Sequence, residues 1–184
     1  AHLTMNPVEQ ARSLFPLMPD SVFTIWLAPL IKNNGWPFTS LQQPTINTRW
    51  QHLLDGITLK SISLRKWARQ EMPCSTDPFH HSSIQTILGI CAAHIPGWST
   101  NIPGLSADQV FRLITRLRGL KNGWAFDSFH RSRAYIKVYG NMHTPAILLQ
   151  ERGGLLIVDG NHRLAALFSL QMPDKLNIDA WIGR

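Results

Sequence analysis

Residues 145–167, PAILLQERGGLLIVDGNHRLAAL, restrict the fold more than any other stretch. Two apolar runs, 145–150 and 155–160, flank Glu151-Arg152-Gly153-Gly154, a composition suited to a reversal. Both runs are apolar on both faces, which predicts a β-hairpin whose arms lie in the centre of a covered sheet. A helical run follows at once, from about Asn161 to Leu170. A chain with this segment is α+β. Its hairpin delivers Asp159, Gly160, Asn161, His162 and Arg163 to a strand-to-helix corner.

Those five residue types share a chemistry. A helix N-terminus offers unpaired N–H groups and the positive end of its dipole, an environment suited to phosphate. Gly160 allows a sharp turn and close backbone approach. Arg163, in the first helical turn, presents a fork of donors to phosphate oxygens. His162 can donate a hydrogen bond or move a proton near neutral pH. Asp159 would repel phosphate unless it held Mg²⁺, accepted a ribose hydroxyl or acted as a base. Singly, each has a plainer reading: Asp159 or His162 as a cap, Arg163 as a surface ion-pair partner. As a contiguous cluster they suit nucleotide or phosphodiester chemistry.

Hairpin register adds to this set. If 151–154 form the loop, Gln150 pairs with Leu155, which sets His143 opposite His162 and Thr144 opposite Asn161. A two-residue Gly153-Gly154 turn shifts the register by two and keeps both beside the corner. Glu151 then lies about 15 Å away, at ~3.3 Å per residue, too far to serve as a catalytic acid.

Elsewhere the pattern is mostly helical. Asn6-Pro7 with Glu9 is a helix start. Ser21 opens a helix that Pro29 should kink or shorten and Asn34-Gly35 should close; residues 36–48 read as a connection. Residues 61–70 predict an amphipathic helix with Leu64, Trp67 and Ala68 inward. The turn after it lacks the glycine of a helix-turn-helix. Residues 82–94 predict a buried helix. Two Pro-Gly-type breaks in 95–104 suggest a boundary, giving a helical N-terminal extension over 1–104 and a core over 105–184. Ser106 with Gln109 forms a capping box for a helix that Asn122-Gly123 should stop. Residues 135–139 alternate, predicting a strand with Tyr135, Lys137 and Tyr139 on one side. After a break at Met172-Pro173-Asp174, a last strand should bury Leu176, Ile178, Ala180 and Ile182.

Charge points toward a partner. The net charge is +7 and the pI about 10. Residues 1–104 hold seven Lys and Arg against five Asp and Glu, whereas 105–184 hold eleven against six. Between Arg112 and Lys137, the basic Arg112, Arg116, Arg118, Lys121, Arg131, Arg133 and Lys137 face only Asp127. Such a block is either a solvated face or a surface for a polyanion, nucleic acid first. No apolar stretch has the length to cross a bilayer, and the N-terminus lacks a charged-then-apolar leader pattern. Cys74 and Cys91 form no CxxC pair, arguing against structural zinc and for two free buried thiols in a reducing cytosol. His80, His81 and His94 have no metal-specific spacing.

The hairpin, the corner, the Leu-Ala-Ala helix and the closing strand in LNIDAWIG resemble the ParB/sulfiredoxin superfamily, over roughly 130–184. The likeness implies a mixed sheet with flanking helices. Sulfiredoxins need a cysteine where Asn161 stands, so sulfinic-acid reduction is not implied. The chromosome-partitioning members carry Gly-Glu-Arg-Arg at this corner, and no match to their DNA-reading regions is present. What remains is similar to the ParB-like nuclease and ATPase branch, including plasmid fertility-inhibition proteins. That resemblance implies ATP and Mg²⁺ as cofactors. It implies nucleotide phosphates on Gly160, Asn161, His162 and Arg163, with Thr144 adjacent. Asp159 would be the acidic, metal-holding residue, and Asp159, His162, Arg163 and His143 the catalytic set. Arg112, Arg116, Arg131, Arg133 and Lys137 would guide DNA. A conjugation or type IV secretion coupling protein is an implied partner. The expected activity is that of a cytoplasmic ATP-hydrolysing DNase, or a binding module that holds nucleotide and DNA without turnover.

Overall fold

The computed structural model describes residues 6–42, 47–119, 123–170 and 176–184. The chain is α+β. It divides into two units, Ala1–Ala68 with Gly183–Arg184, and Arg69–Ile182. The expected boundary at 95–104 therefore falls inside the second unit, because the helix before it supplies core residues there.

The first unit is helical. It contains α1 (Pro7–Ser13), α2 (Asp20–Val22), a π-helical turn (Phe23–Leu27), α3 (Ala28–Asn34), α4 (Thr48–Leu54) and α5 (Leu59–Ser63). Asn6 caps α1 by accepting from Val8 N at 2.9 Å, with Pro7 at the first position and Glu9 in the first turn. The helix closes at Asn34 with Gly35 as its cap, as expected, and at Pro29 it is locally widened rather than ended. A widened turn precedes the proline, and proline is tolerated in the first turn of a segment because its missing N–H has no partner there anyway. Aromatic rings fill this unit. Trp36 meets Phe38, Trp50 and Phe15 edge-on, with centroids at 4.9, 5.3 and 6.2 Å.

Residues 61–70 do not form one helix. α5 ends at Ser63, Leu64 is 64% exposed rather than inward, and β1 (Trp67–Pro73) begins shortly after. Pairing overrides helical spacing here. Lys66 exchanges backbone hydrogen bonds with Arg184 at 3.0 and 2.9 Å, and Cys74 N donates to Leu176 O.

The second unit holds α6 (His81–His94), α7 (Ala107–Arg118), α8 (Trp124–Tyr139), β2 (Ala146–Glu151), β3 (Gly154–Asp159), α9 (Asn161–Ser169) and β4 (Asn177–Gly183). Strand order is β1-β4-β2-β3. β4 buries Ile178, Ala180 and Ile182, and Leu176 just before it is buried too, as the alternation predicts. The capping box at Ser106 and Gln109 forms with both bonds, at 2.8 and 3.3 Å. α7 stops at Arg118, with Gly119 as its cap, rather than at Asn122-Gly123; Gly123 instead opens α8. Lys121, Asn122 and the break at 172–174 lie outside the described residues.

The largest departure is residues 135–139, which are the last turns of α8 and not a strand. Ala125, Phe129, Ser132 and Ile136 recur at helical spacing and are buried, whereas Val138, which a strand would bury with Ile136, is 74% exposed.

The hairpin register matches the expected pairing. Gln150 opposes Leu155 and Glu151 opposes Gly154, leaving Arg152-Gly153 as the loop. β2 is interior, but β3 is an edge strand. Its apolar edge is covered by residues 78–83. His80 N donates to Leu155 O, Leu155 N to Pro78 O, and Ile157 N to the buried Ser83 Oγ. Gly154 makes this approach feasible: at φ 129, a Cβ there would lie 2.7 Å from His80 N.

Candidate phosphate-binding corner

β3 ends at Asp159, Gly160 turns the chain at φ 99, and α9 starts at Asn161. The buried Leu164, Ala165, Ala166 and Leu167 anchor α9, and Cys91 Sγ donates to Ala165 O at 3.3 Å. Burial pushes the Cys91 thiol up to about 12 and the part-buried Cys74 thiol up to about 11, so neither is a nucleophile at neutral pH.

Glycine offers no side chain to cap α9. The N–H groups of Asn161, His162 and Arg163 have no hydrogen-bond partner among the described residues. Beside them, Arg163 Nη2 donates to Asp159 Oδ2 at 2.8 Å and to Pro145 O at 3.0 Å. The two side chains are 18% and 30% exposed. Arg163 is thus folded back across Gly160, whose Cβ, if it had one, would sit 2.9 Å from Nη2. Arg163 Nε is buried without a partner.

His162 departs from its expected role. Its ring stands edge-on to Trp124 at 5.4 Å and its Nε2 is buried without a partner. Burial, with nearby His94 and Arg163, holds its pKa down at about 4, so it is neutral at pH 7 and no cationic proton donor. His94 Nε2 and His130 Nε2 are likewise buried and unpartnered, among Phe126 and Phe129. Sequence spacing gave no sign of this histidine cluster, because its members come from α6, α8 and α9.

His143 and Thr144 do not pair with His162 and Asn161. A bulge between Ile147 and Leu148 shifts the ladder so that Ile147 opposes Asp159, and the strand starts only at Ala146. The segment still borders the corner through the Pro145 carbonyl. His143 is exposed, rests against Tyr135 at 5.4 Å, and has its pKa lowered by desolvation and by Arg163. Glu151 lies at the hairpin tip, as expected.

The basic residues are not gathered into one patch. Arg112 and Arg116 line a groove of about 540 Å³ with Ser82 and Gln109. Arg131 lines another, of about 620 Å³, on α8. Arg133 is committed to Ser169 Oγ at 2.9 Å, and Lys137 is exposed. Neither groove, nor a third beside Phe111 and Arg118, is lined by residues 159–163.

The described residues contain no group of three or more His, Cys, Asp or Glu able to hold a metal. Asp159 therefore fits Mg²⁺ only in the mode in which one carboxylate and the substrate's phosphates share the ion, and only after Arg163 leaves it. No described helix is long and apolar enough to cross a membrane.

Comparison with protein-family models, curated proteins and solved structures returns no match.

Proposed function

We propose that the corner holds the phosphates of a nucleotide and that the chain is an ATP-hydrolysing DNA nuclease of ParB/sulfiredoxin type. One observation carries the reading: three unpartnered N–H groups open α9 directly beside a guanidinium. A dianionic phosphate is a stronger ligand for that guanidinium than a single carboxylate. On phosphate binding, Arg163 turns from Asp159 to the phosphoryl oxygens and stabilises charge developing there. Asp159, once released, would be the residue to hold Mg²⁺, or would orient the attacking water. The bound ion would supply Lewis acidity at the phosphoryl group. Asn161 adds a side-chain donor at the first position of the helix. His143, exposed and neutral near pH 7, is better placed than His162 to accept a proton. His162 holds the helix start against Trp124. Inhibition of conjugative transfer and a coupling-protein partner follow from the resemblance alone.

A second reading is binding without turnover. The pair formed by Arg163 and Asp159 favours it, since that pair spends the guanidinium inside the protein. Phosphate release from ATP and nicking of plasmid DNA, each with and without Mg²⁺, separate the two. Wild type should do both, and Arg163→Ala and Asp159→Asn neither. ATP binding by wild type with no phosphate release under any condition selects the binding module. Full activity in Arg163→Ala rejects the corner.

A further inference from the structure

We propose that the exposed face of α8 is a stacking platform for single-stranded nucleic acid. Ser128, Arg131, Tyr135 and Tyr139 follow one another at three- and four-residue steps and share one face; with Val138 and His143 they line the groove of about 620 Å³. Tyr139 is 65% exposed, Val138 74% and Tyr135 36%. Large side chains presented together to solvent mark a binding surface rather than a fold requirement.

The ligand class follows from ring geometry and charge. Tyr135 and Tyr139 lie with centroids 4.5 Å apart, and His143 closes the row at 5.4 Å from Tyr135. The lowered pKa of His143 leaves its ring neutral and free to stack. Arg131 sits inside the same groove; among the described residues its side chain makes only a long Nε contact to Asp127 O at 3.5 Å, so its guanidinium is available to a phosphate. Arg163, itself paired with Asp159, lies near enough to His143 to lower its pKa, so the groove ends beside the corner. Aromatic faces for bases together with a cation for the backbone match an unpaired strand. A duplex keeps its base faces stacked on one another and offers the tyrosines nothing. A neutral protein partner would leave Arg131 and the +7 charge without a counterpart.

This proposal rests on the proposed function for its direction toward nucleic acid, and it names the form of that substrate. Strand binding is therefore measured without ATP or metal, so that it is read apart from hydrolysis. The probes are fluorescein-labelled oligothymidylate, oligouridylate of the same length, and a duplex, followed by anisotropy. Both single strands should bind more tightly than the duplex. Tyr139→Ala should weaken them about tenfold, since one stacked base is worth ~1–3 kcal/mol. Tyr139→Phe should restore binding, because the ring and not the hydroxyl carries it. Arg131→Ala should reduce the salt dependence by roughly one phosphate contact. Equal affinity for duplex and single strand, unchanged affinity in the Tyr135→Ala/Tyr139→Ala double variant, or no polynucleotide binding would overturn the platform. Full phosphate release by Arg163→Ala, with strand binding intact, would overturn the corner and leave the platform standing.

Discussion

The corner at Asp159–Arg163 and the outer face of α8 are built from similar residues and treat them in opposite ways. At the corner the guanidinium is bound to a carboxylate and a carbonyl, and His162 is turned inward. On α8 the guanidinium of Arg131 and two tyrosines are turned outward, with the exposed His143 just beyond the helix. The difference is one of what each charge already touches. A cluster of reactive residue types in a sequence announces polar chemistry; whether that chemistry is offered to a ligand or spent within the protein depends on burial and partners. The corner's guanidinium is engaged within the protein, whereas the aromatic face of α8 is open to solvent.

The largest effect expected from this contrast is in the response to acid. His162 is neutral in the folded protein with a pKa of about 4, and an unfolded histidine takes its proton near 6.5. The unfolded chain thus binds the proton first as pH falls. Stability should be full above about pH 6.5, decline through the window down to about 4, and level off below it, by ~3 kcal/mol for this group. His94, on α6, is shifted in the same direction by burial, by His130 on α8 and by Arg118 on α7. Urea midpoints at pH ~7 and ~4.5 measure this, and His162→Phe should remove much of the slope. An unchanged slope in that variant would place the acid sensitivity elsewhere.

Gly160→Ala comes next. A residue with φ 99 that also meets Ala146 at 3.3 Å has no relaxed position for a methyl group, and a loss of ~2 kcal/mol is expected in chemical denaturation. Arg163→Ala should cost ~1–2 kcal/mol. It strands a half-buried Asp159 and the Pro145 carbonyl, but both side chains retain enough exposure for water to reach them. Recovery of most of that loss in Arg163→Ala/Asp159→Asn would show that the stranded charge, and not lost packing, carries it.

How far the sequence foretold these features depended on the distance over which each was encoded. The hairpin register beside its loop, the capping box, the closing strand and the strand-to-helix corner are set by neighbours within a few residues and were legible; the bulge that displaces His143 and Thr144 was not. The cover over β3, from Pro78, His80 and Ser83, was not, since nothing local marks which edge a distant loop will protect. The extended course of residues 67–70 is imposed by β4, more than a hundred positions away. The histidine cluster was hidden for the same reason, since it assembles from α6, α8 and α9; the exposed face of α8 was hidden for a local one. In the platform, the Tyr-x-x-x-Tyr spacing was visible, but alternation over five residues fits a strand as well as it fits a helix.

That ambiguity yields the most discriminating prediction, which turns on the smallest effect, that of Val138→Ala. In a strand, Ile136 and Val138 would point to the same buried side, and truncating either would open a cavity. In α8, Ile136 is 2% exposed and Val138 is 74% exposed. Val138→Ala should therefore change stability by less than about 0.5 kcal/mol, and Ile136→Ala should lose ~2–5 kcal/mol. Val138 also lies among the tyrosines of the groove, so its truncation should change strand binding where it does not change folding. A Val138→Ala variant as damaged as Ile136→Ala would return residues 135–139 to a sheet and remove the tyrosine platform with it.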